Sequence, residues 1–390
     1  MKIDYLNMID NPLVSIVTPS LNQGRYLNKT IESVLSQDYP EIEYWVIDGG
    51  SSDDTLDILQ QHEKDLRFNW ISEPDHGQAD AIQKGWNKSN GEILGWLNSD
   101  DLYKSGTIQK AVTSLGNNPL AAFVYSNYET IDSDGQLLKK TKVRQSDLSD
   151  QLLLNCQIPQ QTVFIRRTAL ENCGGLNIDL HYMLDQELWL RVLEIYLGKY
   201  NNDTWAQQRI HHFAKTQAQW SKLYEEYYLI VKQYYTHQNI PIDIRAEALR
   251  RSLINMFIVE SYQDNMEKAI AHLKLAIKNG LYPFGSASHS IKHIVYILNH
   301  WLDPQKTAEI FQQLVEFSHI QEDHRILGFL WSLKSYNAYQ NENFQEARIW
   351  IAEAFKIQPE LKEDLYLKTI SLRCIFSGYP VKIYRYIRKI

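Results

Sequence analysis

Within the first hundred residues, short apolar runs alternate with segments of helical spacing, and this alternation limits the chain to very few architectures. Residues 13–17 form an apolar run, 25–35 have the helical period, and 42–47 form a second run that stops at Asp48-Gly49-Gly50. A helix over 53–61 capped by Ser52, a strand over 68–71, a helix over 78–86 and a strand over 93–97 continue the pattern. Short buried strands separated by helices predict a parallel sheet wrapped by helices. Ligands of such sheets lie beyond the carboxyl ends of the strands, so chemistry is expected just past each apolar run.

Polar clusters fall at those places. They are Thr18-Pro19-Ser20-Leu21-Asn22, Asp48-Gly49-Gly50-Ser51-Ser52-Asp53, Glu73-Pro74-Asp75-His76-Gly77-Gln78-Ala79-Asp80 and Asn98-Ser99-Asp100-Asp101. Any one of them alone reads as a solvated turn. Four in register on one sheet edge read as a site.

Past Asp101 the pattern loosens. A helix near 106–115, a strand at 121–126, a hairpin around Asp132-Ser133-Asp134-Gly135, a strand at 162–165 and a helix over 184–197 are predicted. From about Gln217 helical periodicity continues to the end, with Pro241 the only strong punctuation. A chain of 390 residues exceeds what one core serves well, so two domains are expected, 1–216 and 217–390.

Composition excludes several classes. With 44% hydrophobic and 22% charged residues, disorder is ruled out, and a formal charge of −7 argues against a nucleic-acid partner. Cys156, Cys173 and Cys374 are too few and too scattered for a disulfide framework or zinc cluster, so all three are expected as buried thiols. No run is long and apolar enough to span a bilayer, and the opening MKIDYLNMIDNP lacks the order of a secretion signal. A cytoplasmic protein is the expectation.

The four clusters, in this order and spacing, resemble glycosyltransferase family two on the GT-A fold, over residues 12–216. The resemblance implies a Rossmann-like, mostly parallel sheet flanked by helices, followed here by an all-α, repeat-like domain. It also implies a nucleotide-sugar donor, a divalent metal (manganese or magnesium), and transfer with inversion to a glycan or lipid-linked acceptor in surface polysaccharide synthesis. In that family the turn after the first strand and the acid ending the second hold the nucleoside, which maps to Thr18, Pro19, Ser20 and Asp48. A carboxylate can accept from the imide N–H of uracil, which makes Asp48 the base-reading candidate and the donor uridine-linked; capping of its own turn is the competing role.

Asn98-Ser99-Asp100-Asp101 is similar to the family's Asp-x-Asp metal motif, with Asp100 the expected ligand. A hard cation on carboxylate oxygen neutralises the charge that grows on a departing diphosphate. Asn98 departs from the pattern: it brings a hydrogen bond and no charge, and Asp101 is left to assist indirectly. Asp75, Gln78 and Asp80 are expected on the donor side, with capping of the following helix as the alternative for Asp75. Gln83 stands where Asn is expected.

Gly174-Gly175-Leu176-Asn177, followed by Leu184-Asp185-Gln186-Glu187-Leu188-Trp189, resembles the acceptor-side helix, whose leading acid is the general base; Asp185 matches it. Glu187, about 200° further round a helix, points elsewhere, and with Gln160 and Gln161 it is assigned to the acceptor side. Arg209-Ile210-His211 and Lys215-Thr216 resemble the final catalytic segment, with His211 a ligand of metal or phosphate and Lys215 a lid over the diphosphate.

In the tail, Trp331, Ala347, Ala354 and Pro359 resemble one tetratricopeptide unit, echoed at Ala269, Ala276 and Ala308 in steps of 39 residues. This leaves open an irregular repeat that binds a protein partner, or a plain helical bundle. It also leaves open a scaffold whose catalytic domain has lost activity, for which Asn98 is the support. Arg373, Lys382, Arg385, Arg388 and Lys389, interleaved with Phe376, Tyr379, Tyr384 and Tyr386, suit peripheral contact with the inner face of an anionic membrane.

Overall fold

The computed structural model describes residues 11–155, 158–211, 219–279, 324–363 and 365–376, together with residues 305, 307, 309, 310 and 312. The chain divides into two compact units, Met1–Gln219 and Trp220–Ile390.

The first unit begins as the alternation predicts: β1 (Val14–Ser20), α1 (Gly24–Leu35), β2 (Ile42–Asp48), α2 (Thr55–Gln61), β3 (Phe68–Ser72), α3 (Gln78–Lys88) and β4 (Ile93–Trp96). It continues through β5 (Leu102–Tyr103), α4 (Thr107–Asn117), β6 (Ala121–Ile131), β7 (Leu137–Thr141), α5 (Leu148–Leu152), a 3-10 turn (Gln160–Thr162), β8 (Phe164–Arg166), α6 (Arg167–Asn172), α7 (Leu184–Ile195) and β9 (Leu197–Arg209). All nine strands join one sheet in the order β3-β2-β1-β4-β8-β6-β9-β5, with β7 added on β6.

Two expectations need correction. The sheet is mixed rather than mostly parallel: β3, β2, β1 and β4 are parallel, but β8 runs antiparallel to both β4 and β6, and β5 and β7 are antiparallel too. The regular alternation of one strand with one helix ends at β4, and β8, entering between β4 and β6, pairs antiparallel with both. Helix α2 starts at Thr55 rather than 53, with Asp54 at its cap and not Ser52. Asp53 is drawn out of the helix because its carboxylate accepts from the Thr55 N–H at 3.1 Å and the Gly24 N–H at 2.9 Å.

Period-two alternation splits the apolar residues between two layers. Val14, Ile16, Tyr44 and Val46 face α1, α2 and α4 through Leu27, Ile31, Leu59 and Ile108. Val17, Ile47, Leu94 and Trp96 face α3, α6 and α7 through Ile82, Trp86, Leu170 and Trp189. Helix α3 lies so close to the sheet that a Cβ on Gly85 would stand 2.5 Å from Val17 Cγ1. With both faces buried, only the strand ends are left for function.

The described part of the second unit is helical: α8 (Trp220–Tyr234), α9 (Ile242–Tyr262), α10 (Met266–Lys278), α11 (His324–Gln340), α12 (Phe344–Ile357) and α13 (Leu365–Phe376). Helices α9 and α10, and likewise α11 and α12, form hairpins through the same turn. Each has a residue of positive φ, Asp264 at 61° or Glu342 at 59°, followed by Asn265 or Asn343 at the N-cap. Ala269, Ala276, Ala347 and Ala354 are fully buried, letting paired helices approach. Cys374 is buried and Cys173 only partly so, both as free thiols; the partial exposure of Cys173 departs from expectation because it ends the short helix α6. Cys156, Lys215, Ala308 and the basic stretch after Phe376 lie outside the described residues.

Candidate active site

The loops that follow β1, β2, β3 and β4 meet along one edge of the sheet. Register places Ser20 beside Asp48, and Asp48 beside Ser72. Asp48 is fully buried. Its carboxylate accepts from Gly50 N–H at 3.1 Å, Ser51 N–H at 2.9 Å and the Ser72 hydroxyl at 2.6 Å, and also from the Ser51 hydroxyl. Asp48 is therefore engaged in shaping the 49–52 turn, with no edge facing outward. Thr18 is equally buried and its hydroxyl meets Tyr44 Oη at 2.9 Å. Pro19 lies between them in the strand, while the Ser20 hydroxyl, also buried, has no partner among the described residues. A buried hydroxyl without a partner is uncommon and marks a place where a ligand can complete it.

The loop after β3 packs on this turn. A Cβ on Gly49 would stand 2.7 Å from Asp75 Oδ2, so Gly49 is what lets Asp75 approach. Asp75 accepts from Gly77 N–H at 2.8 Å, and Gly77, at φ +116°, is the cap of α3. Asp80 holds the loop from the helix side, accepting from His76 N–H at 3.0 Å and pairing with Lys84 at 3.2 Å. The His76 N–H, opposed by burial and assisted by Lys84, holds the Asp80 carboxyl below its ordinary range. Gln78, first residue of α3, donates to Asn98 Oδ1 at 2.8 Å and so links the third loop to the fourth.

In the fourth loop Asp101 is buried and accepts from Arg209 N–H at 2.9 Å. Burial, then the neighbouring Asp100 charge, raises its pKa well above the usual carboxylate range. Ser99 is buried, and its carbonyl and that of Asp101 both accept from the Thr30 hydroxyl at 2.9 Å. Asp100 is left facing the site. Its Oδ2 lies 2.9 Å from His211 Nε2, so the two sequence-derived metal candidates come together.

Of the residues expected on the acceptor side, Gln160 reaches the same edge. Gln160, buried, donates to Trp96 O at 2.7 Å, two residues before Asn98. Gln161 is buried with its Nε2 lacking a partner among the described residues. Trp189 of α7 stacks on Trp96 at 5.9 Å and 12°. Asp185, four residues earlier, lies on the same face of α7 as Trp189. It is partly exposed and accepts from Gln186 N–H at 2.8 Å. Burial of its carboxyl raises the pKa to about 6. Glu187 is committed elsewhere: both its oxygens lie 2.7 Å from Arg191 nitrogens. Arg191 in turn donates to the Cys173 carbonyl and to Gly175 O at 2.8 Å.

Helix α3 ties the loop after β3 to the segment before α7. Gln83 accepts from Leu176 N–H at 3.0 Å, and a Cβ on Gly77 would stand 3.2 Å from His181 Nδ1. Sequence reasoning missed Thr30 and Tyr26, which with Arg209 hold the metal-candidate residues from behind, because in the sequence they look like ordinary helix residues.

Residues 15–174 match the family model for Glycosyl transferase family 2. The putative teichuronic acid biosynthesis glycosyltransferase TuaG of Bacillus subtilis is 33% identical over 204 residues, covering 51% of this chain and 79% of the relative. The chain belongs to glycosyl transferase family 2. The UDP-Glc:alpha-D-GlcNAc-diphosphoundecaprenol beta-1,3-glucosyltransferase WfgD of Escherichia coli is 29% identical over 187 residues, 48% of this chain and 72% of that protein. The crystal structure of TarS 1–349 from S. aureus with UDP-GlcNAc is similar in fold, with a TM-score of 0.55 at 16% identity over 80% of this chain and 92% of that one.

The Asp100–His211 pair suits the divalent cation associated with the family. Neighbouring ligands on a small octahedral cation lie roughly 3 Å apart, given metal–ligand distances of about 2.1 Å. No group of three or more His, Cys, Asp or Glu is set to hold a metal among the described residues. Two protein ligands, with phosphate oxygens and water completing the shell, is the arrangement expected of a cation brought in with a nucleotide. Also among the described residues, no helix is long and apolar enough to cross a membrane.

Proposed function

We propose that this family 2 glycosyltransferase moves a sugar, with inversion, from a uridine diphosphate sugar to a hydroxyl of a glycan or lipid-linked acceptor in surface polysaccharide synthesis. The observation that carries the reading is the meeting of Asp100 with His211 at 2.9 Å past the end of β4; α7, stacked on β4 through Trp189 and Trp96, supplies Asp185, a partly exposed carboxylate whose pKa burial raises to about 6. A base that titrates just below neutrality is ionised at working pH yet still accepts a proton.

In this reading the nucleoside rests on the turn that Asp48 shapes, near the unpaired Ser20 hydroxyl, and the diphosphate lies over Asp75, Gln78 and Asn98. Asp80 acts by holding their loop. Asp100 and His211 hold manganese or magnesium, which when bound offsets the charge of the departing diphosphate. Asp185 takes the proton from the acceptor hydroxyl as that oxygen bonds to the anomeric carbon, and the bond to the diphosphate breaks with its electron pair. Gln160 and Gln161 line the acceptor side, and Lys215 closes over the diphosphate.

The names of TuaG and WfgD support the polysaccharide and lipid-linked assignment, and the UDP-GlcNAc complex of TarS supports the donor. The matching hairpins of the second unit support an irregular tetratricopeptide-like arrangement. The test is turnover of a panel of uridine diphosphate sugars by the full chain with manganese. Release of uridine diphosphate that Asp100→Ala abolishes is expected; no binding and no turnover with any donor overturns the reading.

A further inference from the structure

We propose that Tyr26 is a positioning residue that fixes His211 in the orientation of a metal ligand, an inference that rests on the reading of Asp100 and His211 as the metal pair. A metal-ligating histidine is ordinarily oriented by a hydrogen bond from its other ring nitrogen to a carboxylate or carbonyl. His211 lacks that device: Nε2 faces Asp100 at 2.9 Å, while Nδ1 is buried without a partner among the described residues. What meets the imidazole instead is the ring of Tyr26, with centroids 5.0 Å apart and planes at 37°.

Tyr26 is itself held. It is 7% exposed on the buried face of α1, and the Arg209 guanidinium lies 4.9 Å from its ring centroid. Arg209 is anchored by donating to Asp100 O at 3.0 Å and Asp132 O at 2.9 Å. Arg209 and His211 are two residues apart, and the tyrosine ring lies against both. One helical turn along, the Thr30 hydroxyl holds the carbonyls on either side of Asp100. Through Tyr26 and Thr30, four residues apart on one face, α1 sets both members of the pair. A flat ring restricts rotation of the imidazole about its Cβ–Cγ bond, the task a hydrogen bond performs elsewhere.

The experiment is calorimetric titration of manganese chloride into the full chain with saturating uridine diphosphate, in a mutant cycle. Tyr26→Phe keeps the ring and should retain wild-type affinity. Tyr26→Leu should weaken manganese binding about tenfold or more, the range for residues supporting a ligand from behind. In the His211→Ala background the same change should have no further effect, because the ligand it orients is gone. Tyr26→Met serves the same comparison if the leucine variant does not fold. Unchanged affinity in Tyr26→Leu, or an equal loss with and without His211, overturns this proposal alone. Absence of manganese binding by the wild type overturns it together with the metal reading.

Discussion

Trp189 of α7 lies stacked on Trp96 of β4, their rings 5.9 Å apart and 12° from parallel, both buried. This contact fixes the height and rotation of α7 against the sheet. Asp185, one turn back, inherits its position from it.

The first prediction concerns that carboxylate. Its pKa is about 6 in the fold against 3.8 for the free group, so the folded state binds the proton more tightly. The resulting stabilisation is present in full below pH 4 and is lost as pH rises through 6. Above that, the partly buried charge costs up to about 3 kcal/mol. Asp185→Asn should therefore keep donor binding, lose turnover by about 10²–10⁴-fold, and melt a few degrees higher at pH 7.5 but not at pH 4. Calorimetry at both pH values beside a rate assay checks it; a variant that loses donor binding as well moves the base elsewhere.

The same shift sets the rate profile. With donor and acceptor saturating, turnover should fall tenfold per pH unit below about 6, as Asp185 takes up a proton. A profile flat down to pH 4.5 would remove Asp185 from the role.

A third prediction uses Gly49, whose φ is not positive, so alanine brings no backbone strain. Its Cβ would fall 2.7 Å from Asp75 Oδ2 and displace a side chain that also holds Gly77 N–H. Gly49→Ala should raise the donor KM several-fold with little change in melting temperature. Equal KM values would place Asp75 outside the donor subsite.

How far the sequence reaches is visible in these residues. β1 to β4, their helices and the loops after them were legible because each apolar run is short, buried and followed by polar residues. β9 was not: Leu197–Arg209 is polar and only partly buried, and what makes it a strand is pairing with β6 and β5, which is not local. Nor was the direction of β8, three residues whose antiparallel entry between β4 and β6 makes the sheet mixed. Of the candidate site, Asp100, Asp185 and His211 were singled out by resemblance, and the structure brings Asp100 and His211 together. Asp48 was expected at a base, yet its carboxylate is taken up by four donors of the neighbouring loops, a competition set by backbone geometry and invisible in the letters. Tyr26 was silent because an aromatic on a helix face reads as core.

The fourth prediction separates the two acids of α7. Glu187 was assigned to the acceptor side, but Arg191 binds both of its oxygens, and Arg191 carries the carbonyls of Cys173 and Gly175 in the turn before α7. Gly175, at φ +71°, also lies against Gln83 of α3, so the ion pair supports the turn that links α3 to α7. Removing one member leaves a largely buried partner unpaired, which costs about 2–4 kcal/mol. Glu187→Ala should thus lower stability by that amount in urea melts, while acceptor KM stays within about twofold at temperatures where the variant is folded. Glu187→Ala with Arg191→Met should recover much of the loss, since neither charge is then stranded. If instead Glu187→Ala is as stable as wild type and acceptor KM rises tenfold, Glu187 touches the acceptor and the ion pair opens during the reaction.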